Sequence, residues 1–262
     1  MKIALVSTES KINRPDYNVY LMQEAVKQNP GIDLILFGES FLQGYLCMTW
    51  DFESDKKTAL GHHSLIFRQI KYLAKTLGVA IGFGYYELEK YVTHSIYNSY
   101  CVIDKTGKVI YNYRRRNWTW IDRYKSNYEA RYRVGKCSYT FLLNGVLFNC
   151  AICADFYDNP MYSDMVSMES DFVLWPCFVV YPDIYFKHYK QSLFPDRMHN
   201  VKSPILFINS ICYYAGAPGG CAVFHKGKIL QELSPGNTGI LIVDTDNFKP
   251  KKKGRARNQK SK

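Results

Sequence analysis

Apolar positions along the chain follow two rhythms. A helical spacing places Val19, Met22 and Val26 on one face between Asp16 and Asn29, ahead of Pro30. The same spacing recurs from Ser64 to Leu77 in Ile66, Ile70, Leu73, Ala74 and Leu77, with Gly78 as the residue after the helix. Short apolar runs bounded by turn residues read as strands: the first residues up to Ser7, Gly31–Phe37, Val79–Tyr86, Ile96–Ile103 and Lys108–Tyr113. Asp104–Gly107 is a turn that joins the last two into a hairpin. Later strands are predicted at Asp171–Trp175, Pro204–Asn209, Cys221–Phe224, Lys228–Leu230 and Gly239–Asp244, and a helical stretch broken near Pro195 at Lys187–Val201. Helices alternating with strands make the class α/β, and the late hairpins make the sheets mixed. No linker interrupts the order, so residues 1–248 read as one domain.

The run from Val146 to Cys153 is continuous and apolar, as in a strand buried on both faces, and Asn159-Pro160 reads as an N-cap and first-turn proline of a following helix. It delivers Cys153 to a strand end, the edge at which sites gather in open α/β sheets. A cysteine in such a run is more often inert and buried. Cys150 and Cys153 form a CxxC, but residues three apart on a strand point to opposite faces, and no second Cys or His pair supplies further ligands. No metal or cofactor is expected. Two other strand ends carry chemistry: Glu39, between Phe37 and Phe41-Leu42, where a carboxylate is expected to be buried or partnered, and the run Arg114-Arg115-Arg116-Asn117-Trp118.

Composition adds constraints. With 262 residues, 47% of them hydrophobic and 16% aromatic, the chain can bury a full core. The first residues are too briefly apolar for a signal peptide and no run matches a membrane span, so a cytoplasmic, non-membrane protein with eight reduced cysteines is expected. The net charge of +11 belongs mostly to the tail: residues 249–262 hold eight Lys or Arg and no acid, and subtracting them leaves +3 on the body. That terminus reads as solvated rather than as a nucleic-acid grip.

These segments together resemble the nitrilase, or carbon-nitrogen hydrolase, superfamily from about residue 2 to 246. Asp33-Leu-Ile-Leu-Phe-Gly-Glu39-Ser-Phe-Leu-Gln-Gly-Tyr45 is similar to the segment around the family's catalytic glutamate, with Gly38 where proline is usual. Asn98-Ser99 through Tyr113-Arg114-Arg115 is similar to the stretch ending in its catalytic lysine, and Ala151-Ile-Cys153-Ala-Asp155 to its nucleophile segment. Glu129 with Gly135 matches the second glutamate and its glycine; Asp171–Pro176, Arg197 with Asn200, Asn209, Gly219-Gly220 and Lys226–Lys228 fall in the family's order.

The resemblance implies a four-layer α-β-β-α sandwich with mixed sheets, commonly assembled into homodimers or larger homo-oligomers. It implies an amidase-type hydrolase that cleaves a small amide through a thioester on Cys153. Glu39 would be the base, Arg115 the cation, Glu129 a positioning carboxylate, and Tyr45, Trp118, Asp155 and Phe178 the substrate pocket. Trp50, Trp120 and Tyr181 are further candidates for an aromatic wall, and core packing explains any of them as well. The chain departs from the family at Arg115, where a lysine is expected. An arginine keeps the charge but gives up proton transfer. His199 stands where glutamate is commoner, and Pro195 interrupts the preceding helix. The alternative these departures leave open is a catalytically silent small-molecule binding or assembly module.

Overall fold

The computed structural model describes residues 1–125, 131–180 and 194–248; the basic tail, Glu129 and Tyr181 lie outside the described residues, as does most of the stretch expected to be helical before Pro195. Two six-stranded sheets are built from them. The first comprises β1 (Lys2–Ser7), β2 (Leu34–Leu36), β3 (Ala80–Glu89), β4 (Ser95–Ile103), β5 (Val109–Arg114) and β12 (Gly239–Asp244), in the order β12-β1-β2-β3-β4-β5. The second comprises β6 (Phe141–Leu143), β7 (Val146–Cys150), β8 (Phe172–Cys177), β9 (Ile205–Cys212), β10 (Ala217–His225) and β11 (Lys228–Leu233), in the order β11-β10-β9-β8-β7-β6. Strands β1, β2 and β3 pair in parallel, as do β7, β8 and β9, while the outer strands pair antiparallel. Both sheets are therefore mixed.

Each strand's apolar residues divide by alternation between two cores. Ile3, Leu5, Leu34, Leu36 and Val102 meet Phe148, Cys150, Leu174, Leu206 and Ile208 between the sheets. On the outer face of the first sheet, Ala4, Val6, Ile35 and Ile81 pack on Val19, Met22 and Val26 of α1 (Pro15–Lys27) and on Phe67, Ile70 and Ala74 of α3 (Leu65–Leu77). On the outer face of the second sheet, Val173, Trp175, Ile205 and Phe207 pack on Met165 of α4 (Asn159–Ser167) and Met198 of α5 (Phe194–Met198). The result is the α-β-β-α sandwich.

Helix α3 forms where the apolar spacing placed it: Ser64 Oγ accepts from the Phe67 amide, and Gly78 closes the helix in the left-handed region at φ 66°. Helix α4 starts one residue before the expected position. Asp158, not Asn159, is its N-cap residue, with no side-chain cap bond. Helix α2 (Phe52–Thr58) and strand β6 were not predicted. Helix α2 has no apolar stripe to betray it; it is held by the Asp51 carboxylate capping the Ser54 amide at 2.9 Å, and by buried Asp55, which accepts from the Thr49 and Trp50 amides and the Tyr132 hydroxyl. No described helix is long and apolar enough to cross a membrane.

Candidate active site

After β2 the chain turns away from the sheet, and the sheet has to make room for it. A Cβ on Gly84 of β3 would collide with the Ser40 amide nitrogen, and one on Gly38 would come within 2.5 Å of Ser210 Oγ. Glycine at both positions lets backbone pass where side chains would block it. Glu39 ends up 1% exposed, yet its charge is compensated. Asn98 Nδ2 donates to Oε1 at 2.8 Å, the Phe178 amide donates to Oε2 at 2.9 Å, and Arg115 Nη1 donates to Oε1 at 2.5 Å. Three donors on a desolvated carboxylate fix both its position and its orientation.

Arg115 is the first residue beyond β5, its amide still bonded to Asn98 O at 2.8 Å. It is 2% exposed. Its Nη2 donates to Thr119 Oγ1 at 2.8 Å, and Thr119 in turn donates to Asn117 Oδ1 at 2.5 Å. Burial by itself would lower the Arg115 pKa, but Glu39, Cys153 and Tyr45 outweigh it and hold the guanidinium above its ordinary value. Its Nε has no partner among the described residues.

Strand β7 stops at Cys150, and Cys153 follows in a turn rather than on the strand. The Ala151 amide still bonds Leu174 O of the neighbouring strand at 3.0 Å; Cys153 then takes φ 46°, a left-handed conformation uncommon for a residue with a Cβ, and opens a 3₁₀ turn over Cys153–Phe156. Trp175 Nε1 donates to the Cys153 carbonyl at 3.0 Å from beneath. Cys150 is buried in the inter-sheet core, and burial pushes its thiol well up, so the two cysteines of the CxxC occupy different environments.

Asp155 was expected in the substrate pocket, and the structure corrects this. It is 1% exposed and accepts from the Ile152 amide at 3.1 Å, the Tyr113 hydroxyl at 2.8 Å, the Arg116 amide at 3.1 Å and the Asn117 amide at 2.6 Å. These bonds tie the Cys153 turn to the segment that carries Arg115. Burial pushes its carboxyl up to about 6, against the opposing pull of Arg115 and of those donors.

A cavity of about 590 Å³ opens over Cys153, lined by Tyr45, Leu46, Ala154, Tyr157, Trp175, Cys177, Phe178, Val179, Val180 and Ala215. Tyr45 and Phe178 stack with ring centroids 4.3 Å apart and planes inclined by 6°. Burial, with the Glu39 charge, pushes the Tyr45 hydroxyl well up, so it stays protonated beside Arg115. Trp118, in contrast, is 45% exposed beneath the Arg123 guanidinium and does not line the cavity. Trp50 and Trp120 belong to a separate cluster with Tyr86 and Tyr132. Cys137 is exposed, whereas Cys47, Cys101, Cys150, Cys177, Cys212 and Cys221 are buried. His199 is exposed beyond α5, while Arg197 donates to Phe156 O at 2.9 Å and braces the end of the Cys153 turn.

Sequence reasoning did not assign roles to Asn98, Thr119, Tyr157, Trp175 or Cys177. Asn98 had a readable signal, an amide beside Ser99 in the middle of a mostly apolar strand. Among the described residues no group of three His, Cys, Asp or Glu is placed to hold a metal ion.

The carbon-nitrogen hydrolase family model matches residues 2–248. An arylacetone-specific nitrilase of Alcaligenes faecalis is 30% identical over 117 residues, 41% of this chain and 32% of its own length, so the chain matches about a third of that relative. An amidase from Nesterenkonia sp. superposes with a TM-score of 0.74 at 20% identity, over 93% of this chain and 89% of its own. A carbon-nitrogen hydrolase superfamily protein of Xanthomonas campestris, with an arsenic adduct in its active site, superposes with a TM-score of 0.75 at 18% identity, over 95% and 92%.

Proposed function

Because the chain belongs to the carbon-nitrogen hydrolase family, we propose that it is an amidase-type enzyme that cleaves a small uncharged amide through a thioester on Cys153. The observation that carries this reading is a buried carboxylate–guanidinium pair, Glu39 and Arg115, beside a cavity into which a turn-mounted cysteine opens. Cys153 Sγ attacks the amide carbon as Glu39 takes the thiol proton. The guanidinium of Arg115 balances the oxyanion. Collapse breaks the C–N bond, and Glu39 passes its proton to the departing amine. Water then attacks the thioester, giving up a proton to Glu39, and the C–S bond breaks to release the acid and restore the thiol. A guanidinium does not give up a proton in this pH range, so every transfer falls to Glu39. Asp155 acts through position, by holding the Cys153 turn against the Arg115 segment.

The aromatic and aliphatic walls at Tyr45, Leu46, Tyr157, Trp175, Phe178 and Val179 favour a flat or apolar acyl group. The arylacetone-specific relative agrees with that preference. Self-association and a cytoplasmic location belong to the same reading, as does the division into a hydrolase domain over 1–248 and a basic tail. The test is intact-mass detection of an acyl adduct with a panel of aryl and alkyl amides. The expected result is one acyl group per chain, absent in Cys153→Ala, with amine released. No adduct and no amine across the panel, in a chain that still binds these amides, would favour the silent binding module that Arg115 keeps open.

A further inference from the structure

The thiol at the centre of this site has a second thiol beside it. Strands β7 and β8 pair in parallel with Phe148 opposite Phe172, Asn149 opposite Val173 and Cys150 opposite Leu174. Three residues further along each chain stand Cys153 and Cys177. Cys153 has left the strand, but Trp175 of β8, two residues before Cys177, donates to the Cys153 carbonyl at 3.0 Å and keeps the turn against that strand; a disulfide requires Cα atoms roughly 4.4–6.8 Å apart. Both residues border the same cavity, and Cys153 acts on the Cys177 thiol. Cys150, the neighbour that sequence spacing pairs with Cys153, is buried in the inter-sheet core, and Cys137 is exposed.

We propose that Cys153 and Cys177 form an oxidisable dithiol, in which a hydroperoxide entering the cavity converts the pair to a disulfide. In the first step Cys153 sulfur attacks the terminal peroxide oxygen. The O–O bond breaks, and the departing alkoxide, or hydroxide from hydrogen peroxide, leaves with the Cys153 proton as alcohol or water; Cys153 becomes a sulfenic acid. In the second step Cys177 sulfur attacks Cys153 sulfur. The S–O bond breaks and hydroxide leaves with the Cys177 proton as water. Two thiols lose two electrons in total, and the peroxide gains them.

The surroundings divide the two roles. Cys177 is fully buried, and burial together with Cys153 pushes its thiol well up. It therefore keeps its proton and resolves the sulfenic acid instead of meeting peroxide first. Glu39 acts electrostatically on Cys177 and donates its own amide to the Cys177 carbonyl at 3.4 Å. The disulfide withdraws the proposed nucleophile and protects it from irreversible oxidation. A reductant restores it.

This inference goes beyond amide hydrolysis and does not depend on it. Full-length chain, reduced and freed of reductant, is treated with hydrogen peroxide, alkylated with iodoacetamide after unfolding, and read by intact mass and non-reducing peptide mapping. The expected product carries the alkyl group on six of the eight cysteines, holds a single linkage of Cys153 to Cys177, and is fully reversed by dithiothreitol. In Cys177→Ala the linkage is absent and Cys153 proceeds to sulfinic acid, heavier by two oxygens and not reversed by dithiothreitol. Should that variant fail to fold, the mapping of the native chain decides alone. Cys153 reaching sulfinic acid in the native chain while Cys177 is recovered fully alkylated, or a linkage of Cys153 to any other cysteine, would overturn the proposal. An acyl adduct on Cys153 needs no second thiol, so such a result leaves the hydrolase reading standing.

Discussion

Replacing Arg115 with methionine removes one member of a pair whose side chains are 2% and 0% exposed. Glu39 then keeps the Asn98 amide and the Phe178 backbone amide but loses its counter-charge. Breaking a buried pair by deleting one partner costs about 3–5 kcal/mol, and the two surviving donors place this case near the lower end. At roughly 2–4 °C per kcal/mol for a chain of this size, the midpoint of thermal unfolding should fall by about 6–12 °C. Glu39→Gln should destabilise comparably, because it strands a guanidinium whose Nε already has no partner among the described residues and turns one amide hydrogen toward existing donors. The double variant, neutral at both positions, should lose far less than the sum, with a coupling of about 2–3 kcal/mol. Circular dichroism melts of the four proteins at pH 7 test this. A midpoint for Arg115→Met within about 2 °C of the native protein, or strict additivity in the double variant, would refute the claim that these charges are coupled in a dry interior.

Three further outcomes are expected. Since the folded-state pKa of Asp155, at about 6, lies above its ordinary 3.8, the folded chain takes up that proton first as pH falls. Its contribution to stability therefore rises from about pH 6 toward 4, and the stability difference between native protein and Asp155→Asn should widen over that window; a difference that narrows refutes it. Glu89 is the opposite case. Burial alone would raise it, but the Thr93, Tyr91 and Val92 amides and the Thr93 hydroxyl win and hold it at about 2. Its support for that turn is present above the unfolded value of 4.5 and lost as pH falls toward 2, so a carboxyl NMR titration midpoint at 4.5 would contradict the geometry. Trp118→Ala should leave kcat/KM for an aryl amide within about twofold, whereas Phe178→Ala, which removes a cavity wall stacked on Tyr45, should lower it by about tenfold or more. Equal losses would mean that the acyl group sits elsewhere.

The sequence made the sheets and the three strand-end segments readable, because apolar periodicity reports which residues face a core. It was a poor guide to side-chain direction at turns. Asp155, in the segment similar to the family's nucleophile segment, was expected in the pocket, but the 3₁₀ turn swings its carboxylate inward to four donors. Trp118 sits in a short turn of its own, where no periodicity reports burial, and ends in solvent. Phe178 reaches Glu39 through its backbone amide, a contact no residue-type argument foresees. The proposed pairing of Cys153 with Cys177 depends on which strands lie side by side, which tertiary structure fixes; the CxxC spacing offered only Cys150, which strand alternation sets aside.

The placement of these groups explains why an arginine can stand at position 115. Glu39 and Arg115 leave strands of one sheet, Cys153 and Phe178 leave strands of the other, and the inter-sheet core sets the gap between the two pairs. A guanidinium fills that gap as a fork: one nitrogen bonds the carboxylate while the other is held back by Thr119, itself anchored on Asn117, whose own amide donates to Asp155. The same Asp155 carboxylate receives the Ile152 amide just before Cys153. Position in this site is thus transmitted by a continuous chain of hydrogen bonds from one sheet to the other. An ammonium in place of the guanidinium would have a single nitrogen to divide between Glu39 and Thr119. On the proposed mechanism Arg115 therefore contributes charge and registration between the sheets, and the movement of protons rests with Glu39.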